Sequence, residues 1–255
     1  MKVCVLASGS GGNSTYIEIG KYKILVDIGK NRKYIVENLE HIGVDPTEID
    51  YIFISHLHDD HISALKNFLK KYSPTIVISK PMFQELEDIH LYPHILIYED
   101  EVILDNVRVV CMHSSHDATD SRNFLFESGP NSVVYVTDTG YVNHKNFKYL
   151  TNKEIYLFES NHDVERLQHG PYPDWLKKRV LSDYGHLSNN ASSIYLSKLI
   201  GANTKKIYLM HLSEKNNTED LALNEIKNIF KTYNIEFNDI HVAKQNETSE
   251  VMVYD

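Results

Sequence analysis

Residues 54–65 read "ISHLHDDHISAL", with three histidines and two aspartates in the six positions from His56 to His61. Imidazole nitrogens and carboxylate oxygens are the donors that Zn²⁺ and Mn²⁺ accept. His56 and His58 stand two apart, a spacing that turns both rings to one side of an extended chain. Asp60 and His61 follow where the pattern becomes helical, so they face a second point in space. The chemistry on offer is metal binding, and the rest of the chain has to supply further ligands and a use for the metal.

Stepping outward along the chain, "DYIFISH" is a continuous β-rich run and "HISALKNFLKKY" has helical spacing. "KVCVLAS" and "STYIEIG" flank the glycine-rich turn "GSGGN", and "YKILVDIG" follows closely. "RKYIVENLEHIGV", "PMFQELEDI" and "KNFKYLT" predict helices. "TIVISK", "VILD", "VRVVCM", "NFLFESG", "SVVYVTDTG" and "EIYLFES" predict strands. A long helical region is expected over 174–201, then the strand "KIYLMHLS", a helix near 218–233 and the terminal strands "DIHVAK" and "VMVYD". Ligand-type residues recur where apolar strands end: Asp27, His56, His116, Asp138, Glu159 and His211. Strand ends at a sheet edge are where such folds build sites. No repeat, low-complexity tract or linker interrupts residues 1–255, so one α/β domain of mixed sheets covered by helices is expected.

Composition narrows the function. No apolar run approaches the roughly 18 residues that a membrane span needs, and the start reads as mature fold, not as a signal peptide. Cys4 and Cys111 both lie inside apolar strand patterns, which predicts buried thiols in a reducing cytoplasm. The formal net charge of −9 argues against a general nucleic-acid coat protein. It leaves room for a local basic strip beside a metal site.

The stretch "HLHDDH" matches the HxHxDH signature of the metallo-β-lactamase superfamily. Asp27 in "ILVDIG", His116 in "SSHDA", Asp138 in "VVYVTDTG" and His211 in "IYLMHLS" occur in the order of the other superfamily motifs. With "SGSGGNST", "TDTGY", "ESNHD", "GPYPDWLKKRVLSDYGHLSNN" and "MHLSEKNN", the chain resembles the YycJ/WalJ-type DNA exonucleases of that superfamily. The resemblance implies an αββα sandwich with two divalent metal ions, Mn or Zn, at one edge. His56, His58 and His116 would hold the first ion, Asp60, His61 and His211 the second, with Asp138 bridging and Asp27 orienting a ligand. Two metals about 3.5–4 Å apart can share a hydroxide and clamp a phosphodiester for in-line attack. His113 lies three residues before His116, but the "HDA" match favours His116. The following "HDATDSRNFLFES" lacks the proline and aromatic expected after that motif, so this loop departs from the family.

His186 in "DYGHLSNN" resembles the loop histidine that approaches the scissile phosphate in superfamily nucleases. With Asp60 and Asp138 it completes the expected catalytic set, as general acid to the leaving 3′-oxygen or as a donor to phosphate. Ser188, Asn189 and Asn190 open a helix whose free N–H groups favour an anion. Lys177, Lys178 and Arg179 read either as a solvated helix face or as a track for a DNA backbone. Asn161 and His162 in "ESNHD" are candidate substrate or ligand-supporting contacts, with a purely structural role equally open. "GSGGNS" lacks the lysine and following helix of a P-loop, so it reads as a tight turn. Tyr172 and Trp175 read as packing residues, with base stacking as the alternative.

The expected function is phosphodiester hydrolysis by a metal-bridging hydroxide, in a cytoplasmic 5′→3′ DNA exonuclease with a part in mismatch repair. DNA is the expected partner, with no membrane. The alternatives are a small-molecule phosphodiesterase, a lactone or thioester hydrolase of the same fold, and a metal-stabilised scaffold without turnover.

Overall fold

A computed structural model describes residues 1–254; Asp255, the last residue of the expected "VMVYD" strand, lies outside the described residues. The first part of the chain forms β1 (Lys2–Ala7), β2 (Ser14–Ile19), β3 (Tyr22–Val26), α1 (Arg32–His41), β4 (Tyr51–Phe53), α2 (Asp59–Ile62), α3 (Leu65–Leu69), β5 (Thr75–Ser79), α4 (Lys80–Glu85) and β6 (Ile95–Tyr98). The second part forms β7 (Glu101–Leu104), β8 (Val107–His113), β9 (Arg122–Ser128), β10 (Asn131–Val136), α5 (Phe147–Leu150), β11 (Ile155–Glu159), α6 (Val164–His169), α7 (Asp174–Val180), α8 (Asn189–Leu199), β12 (Lys206–Met210), α9 (Glu219–Thr232), β13 (Ile240–Val242) and β14 (Met252–Val253).

Each part makes its own seven-stranded mixed sheet. The orders are β14-β1-β2-β3-β4-β5-β6 and β13-β12-β11-β10-β9-β8-β7, so only β14 crosses back to the first sheet. Residue alternation explains the layering. In β1, Val3 and Val5 point into the core between the sheets, while Cys4 and Leu6 point under the helices of the first half. In β10, Val133 and Tyr135 take the inner face and Val134 and Val136 the helix-covered face. A strand buried on both faces has no polar side, which is why these segments read as unbroken apolar runs. The result is the helix–sheet–sheet–helix sandwich expected from the sequence. Both cysteines are buried and unpaired.

Two helical expectations need correction. Region 174–201 is α7 and α8 separated by a loop, because Gly185 packs so tightly on the Val180 carbonyl that a Cβ would overlap it, and Ser188 caps a fresh helix start. The "HISALKNFLKKY" helix is likewise two short pieces, α2 and α3. Between them Ala64 N–H donates to the Ile28 carbonyl (3.0 Å) and Ser63 Oγ to that of Gly29 (2.6 Å). The break ties the motif to the strand-end loop beside it.

Candidate metal centre

Parallel pairing aligns the strand ends that carry the site. Val26 pairs with Phe53, and Glu159 with Met210, so the residues just beyond them emerge side by side. Asp27 (φ 59°), Asp138 (φ 52°) and His211 (φ 56°) occupy the left-handed region after β3, β10 and β12. That region is unfavourable for non-glycine residues and turns the chain abruptly, and such strain clusters at functional sites.

Asp27 is fully buried and accepts four hydrogen bonds. Ser55 N donates to Oδ1 (2.8 Å), while Ser55 Oγ (2.7 Å), Tyr135 Oη (3.0 Å) and His61 Nδ1 (2.7 Å) donate to Oδ2. A carboxylate only accepts, so His61 carries a proton on Nδ1 and turns Nε2 to the site. The same logic sets its neighbours. Ser55 Oγ gives its one proton to Asp27, so it accepts from His56 Nδ1 (3.0 Å). His116 Nδ1 donates to the Gly185 carbonyl (3.2 Å). The inward atoms then converge, with His58 Nδ1 3.2 Å from His56 Nε2 and 3.3 Å from His116 Nε2.

On the other side, Asp60 Oδ2 lies 3.6 Å from His61 Nε2 and 3.5 Å from His211 Nε2. Asp138 stands between the clusters, Oδ2 3.2 Å from His61 Nε2, Oδ1 3.6 Å from His211 Nε2 and 3.8 Å from His116 Nε2. Burial, then the charge of His61, holds His56 well below the usual histidine range. Burial also opposes charge on His61, but Asp27 and Asp138 override it and raise its pKa to about 10.

This donor set fits divalent metal. Asp138 Oδ2 is buried with no hydrogen-bond partner, and the inward nitrogens of His56, His58 and His116 converge on one another. In each of the sets His56–His58–His116 and Asp60–His61–His211, one donor atom per residue lies within 4.8 Å of the others. A cation placed among such atoms would take the orphaned oxygen and the convergent ring nitrogens as ligands.

His186 joins the site from the α7–α8 loop. Its Nδ1 is 2.7 Å from Glu159 Oε1, and its ring stacks on His211 at 5.3 Å and 19°. Glu159 Oε2 accepts from the N–H groups of Thr139 (3.0 Å) and Leu187 (3.2 Å). Burial works against its charge, but His186 and His211 bring its pKa down to about 2. Sequence reading placed Glu159 at a strand end without giving it this task.

Asn13 was missed, because "GSGGNS" looked like a turn and nothing more. Its Nδ2 lies 2.9 Å from His61 Nε2 and 3.2 Å from Asp60 Oδ2, and its N–H donates to the Asp60 carbonyl (2.7 Å). Asp117 was missed as well. Its Oδ1 lies 3.5 Å from His116 Nε2 and 3.9 Å from His58 Nε2. The immediate signal for it was only its place after His116.

The expected substrate contacts divide. Asn161 supports His211, its amide 3.2 Å from Nδ1 and donating to the His211 carbonyl (2.9 Å). His162 is buried with neither ring nitrogen partnered and belongs to no ligand cluster; burial lowers its pKa to about 4. Asn189 is buried and bonded to Ser160 and Asn217, so its amide is closed to a substrate. Ser188 Oγ accepts from Ala191 N as a helix cap. Arg179 is held bidentately by Asp117 (2.5 and 2.9 Å), and Lys177 Nζ donates to the Gln168 carbonyl (2.7 Å). Lys178 is exposed. His113 is exposed and pairs with Asp120 (3.2 Å), away from the cluster.

Two sheets under helices, with histidine and aspartate clusters at their shared edge, define a metal-dependent hydrolase. The family description "Metallo-beta-lactamase superfamily" matches residues 7–211, and the chain belongs to that superfamily. It is 38% identical over 228 residues to the Exodeoxyribonuclease WalJ of Streptococcus pneumoniae, covering 87% of this chain and 85% of that protein. It is 32% identical over 234 residues to the Exodeoxyribonuclease YycJ of Bacillus anthracis, covering 89% and 88%. Among solved structures, the metallo-beta-lactamase fold protein YhfI from Bacillus subtilis superposes with a TM-score of 0.73 at 17% identity, over 98% of this chain and 99% of that one. Divalent metal is the cofactor that the fold and the donor clusters imply. No helix among the described residues is long and apolar enough to cross a membrane.

Proposed function

We propose that this protein is a cytoplasmic exodeoxyribonuclease that works from 5′ ends with two divalent ions, Mn or Zn. The similarity to two exodeoxyribonucleases over most of the chain supports the substrate class. The observation that carries the chemistry is the Glu159–His186 pair, set against His211 and 3.7 Å from Asp138 through His186 Nδ1.

His56, His58 and His116 would hold one ion and Asp60, His61 and His211 the other, with Asp138 serving both. Bound there, the ions supply Lewis acidity toward phosphate and a water nucleophile at neutral pH. The chain's own residues do the rest. Asp27, Ser55 and Gly185 fix the ring orientations of the ligands, as supporting partners do in metal sites. Glu159 accepts from His186 Nδ1 and fixes the ring, leaving Nε2 as the atom that would donate a proton to the leaving 3′-oxygen. The internal engagement of Arg179 and Lys177 favours one second reading, a phosphodiesterase for small substrates that need no basic track.

The test uses metal-stripped protein reloaded separately with Mn²⁺ or Zn²⁺. Each form is given 5′- or 3′-labelled single-stranded and duplex DNA, and a bis-aryl phosphodiester. Metal-dependent release of nucleotides from the 5′ end is expected. Hydrolysis of the diester with DNA untouched would transfer the assignment to the small-substrate reading. Substituting His186→Ala should lower kcat about 10²–10⁴-fold with metal content unchanged; full turnover would remove His186 from the mechanism.

A further inference from the structure

The loop that carries His116 has two arms, and they are anchored by different means. Residues 114–121 join β8 to β9, whose ends still pair through His113 and Arg122. Ser114 N–H donates to the Ser121 carbonyl (2.8 Å) and closes the base of the loop. The arm before His116 is bonded to the loop of Asp138. Ser114 Oγ donates to the Asp138 carbonyl (2.6 Å), Ser115 N–H to Thr139 Oγ1 (3.2 Å), and Gly140 N–H to the Ser115 carbonyl (2.8 Å).

The arm after His116 is held by charge. Residues 114–122 contain neither proline nor glycine, and Asp120 sits at φ 49°, in the left-handed region. Both of its carboxylate oxygens accept from Arg122 Nη2 at 2.9 Å. Arg122 Nη1 donates to the carbonyls of Glu99 (3.0 Å) and Cys111 (3.3 Å), and the guanidinium carbon stands 5.8 Å from the Tyr98 ring centre. One side chain thus joins this arm to β8 and to the β6–β7 turn that links the two sheets. The Arg122 N–H donates to the carbonyl of Ser55 (2.8 Å), the residue before His56.

A second pair, Arg179 with Asp117, reaches the same arm from α7. Its side chains are 45% and 33% exposed, whereas those of Arg122 and Asp120 are 6% and 12% exposed. Solvent screens the outer pair, so the inner pair is the firmer anchor. Burial makes an ion pair a poor source of stability, because desolvation offsets its attraction, and Arg122 Nε is buried without a partner. What a planar guanidinium does supply is direction.

We propose that Arg122, acting through Asp120, is a positioning residue for His116, so that the ion at His56–His58–His116 depends on this pair and the ion at Asp60–His61–His211 does not. This rests on the two-ion reading above. Breaking the pair frees only the arm that follows His116. Asp60 and His61 lie on α2 and His211 follows β12, and the backbone bond to Ser55 does not involve the Arg122 side chain.

The experiment titrates Mn²⁺ into the metal-stripped full chain, reading free Mn²⁺ by electron paramagnetic resonance, with calorimetric scans of the same stripped protein. Wild type is expected to show two classes of bound Mn²⁺, and His116→Ala identifies the class of His56–His58–His116 by removing it. Arg122→Met should weaken that class about 10- to 100-fold, as loss of a ligand's supporting partner does, and leave the other class unchanged. Arg122→Lys keeps the charge but cannot span the same acceptors, so it should restore part of the affinity. Should Arg122→Met fail to fold, Asp120→Asn carries the same test. Equal weakening of both classes would reduce the pair to a general stabiliser, and unchanged classes would leave it no role at the site. Either result overturns the inference and spares the two-ion reading. Wild type that binds a single Mn²⁺ overturns both.

Discussion

At the residue scale, metal ligation here begins from protonated histidines. Without metal, Asp27 and Asp138 override burial and lift His61 to a pKa of about 10. Burial also opposes the charge on His211, but Asp138, Asp60 and Glu159 raise it well above its ordinary value. A ligating nitrogen has to surrender its proton, so loading at pH 7 releases protons and apparent affinity rises with pH by about tenfold per unit for each proton displaced. Calorimetric titration of Mn²⁺ or Zn²⁺ into stripped protein, repeated in buffers of different ionisation enthalpy, counts those protons. A count of zero at pH 7 would show that His61 is already neutral. In the stripped protein the raised His61 value also contributes stability that is complete below about pH 6.5 and is lost as pH rises through about 10.

At the element scale, the HxHxDH segment is held by the turn joining β1 to β2 and by the loop leaving β3. Gly29 N–H donates to the Asn13 carbonyl (2.8 Å), and Asn13 N–H donates to the Asp60 carbonyl. The backbones are so close at this crossing that a Cβ on Gly29 would overlap the Asp60 carbonyl. Gly29→Ala should therefore push Asp60 and His61 out of register. The expected cost is about 1–3 kcal/mol, as for other forced overpacking, with loss of metal from the Asp60–His61–His211 position. Chemical denaturation and metal analysis would measure the two effects, and wild-type values in both would show that the crossing relaxes freely.

At the scale of the whole molecule, the ligands come from both halves of the sandwich. Asp60, His56, His58 and His61 belong to the first sheet's loops, and His116, Asp138 and His211 to the second's. Bound metal would thus tie the two sheets together at one edge and stabilise the native state by mass action. At metal a hundredfold above Kd the gain is about 2.7 kcal/mol, or about 5–10 °C in Tm for a chain of this size. Scanning calorimetry with and without chelator would read it; equal Tm values would mean that the unfolded chain binds metal as well as the folded one.

The sequence by itself determined a mixed α/β fold with helix-covered sheets and the residues offering donors, because strand runs buried on both faces and closely spaced histidines leave a local trace. The two-sheet sandwich was legible only through the resemblance of its motifs to the superfamily. Asn13, Asp117 and the task of Glu159 depended on chain crossings between residues far apart in sequence, such as Asn13 with Asp60 and Glu159 with His186. The breaks in the 174–201 and "HISALKNFLKKY" helices also followed from close backbone contacts, at Gly185 and at Ala64, that periodicity does not register. Arg179 reads as a solvated face or a phosphate contact in "WLKKR", and only folding brought Asp117 within reach of its guanidinium. Pattern records what each residue is and which face it occupies. Partnership across the sheet edge is a property of the tertiary structure, because every hydrogen bond there joins segments that meet only once both sheets have packed.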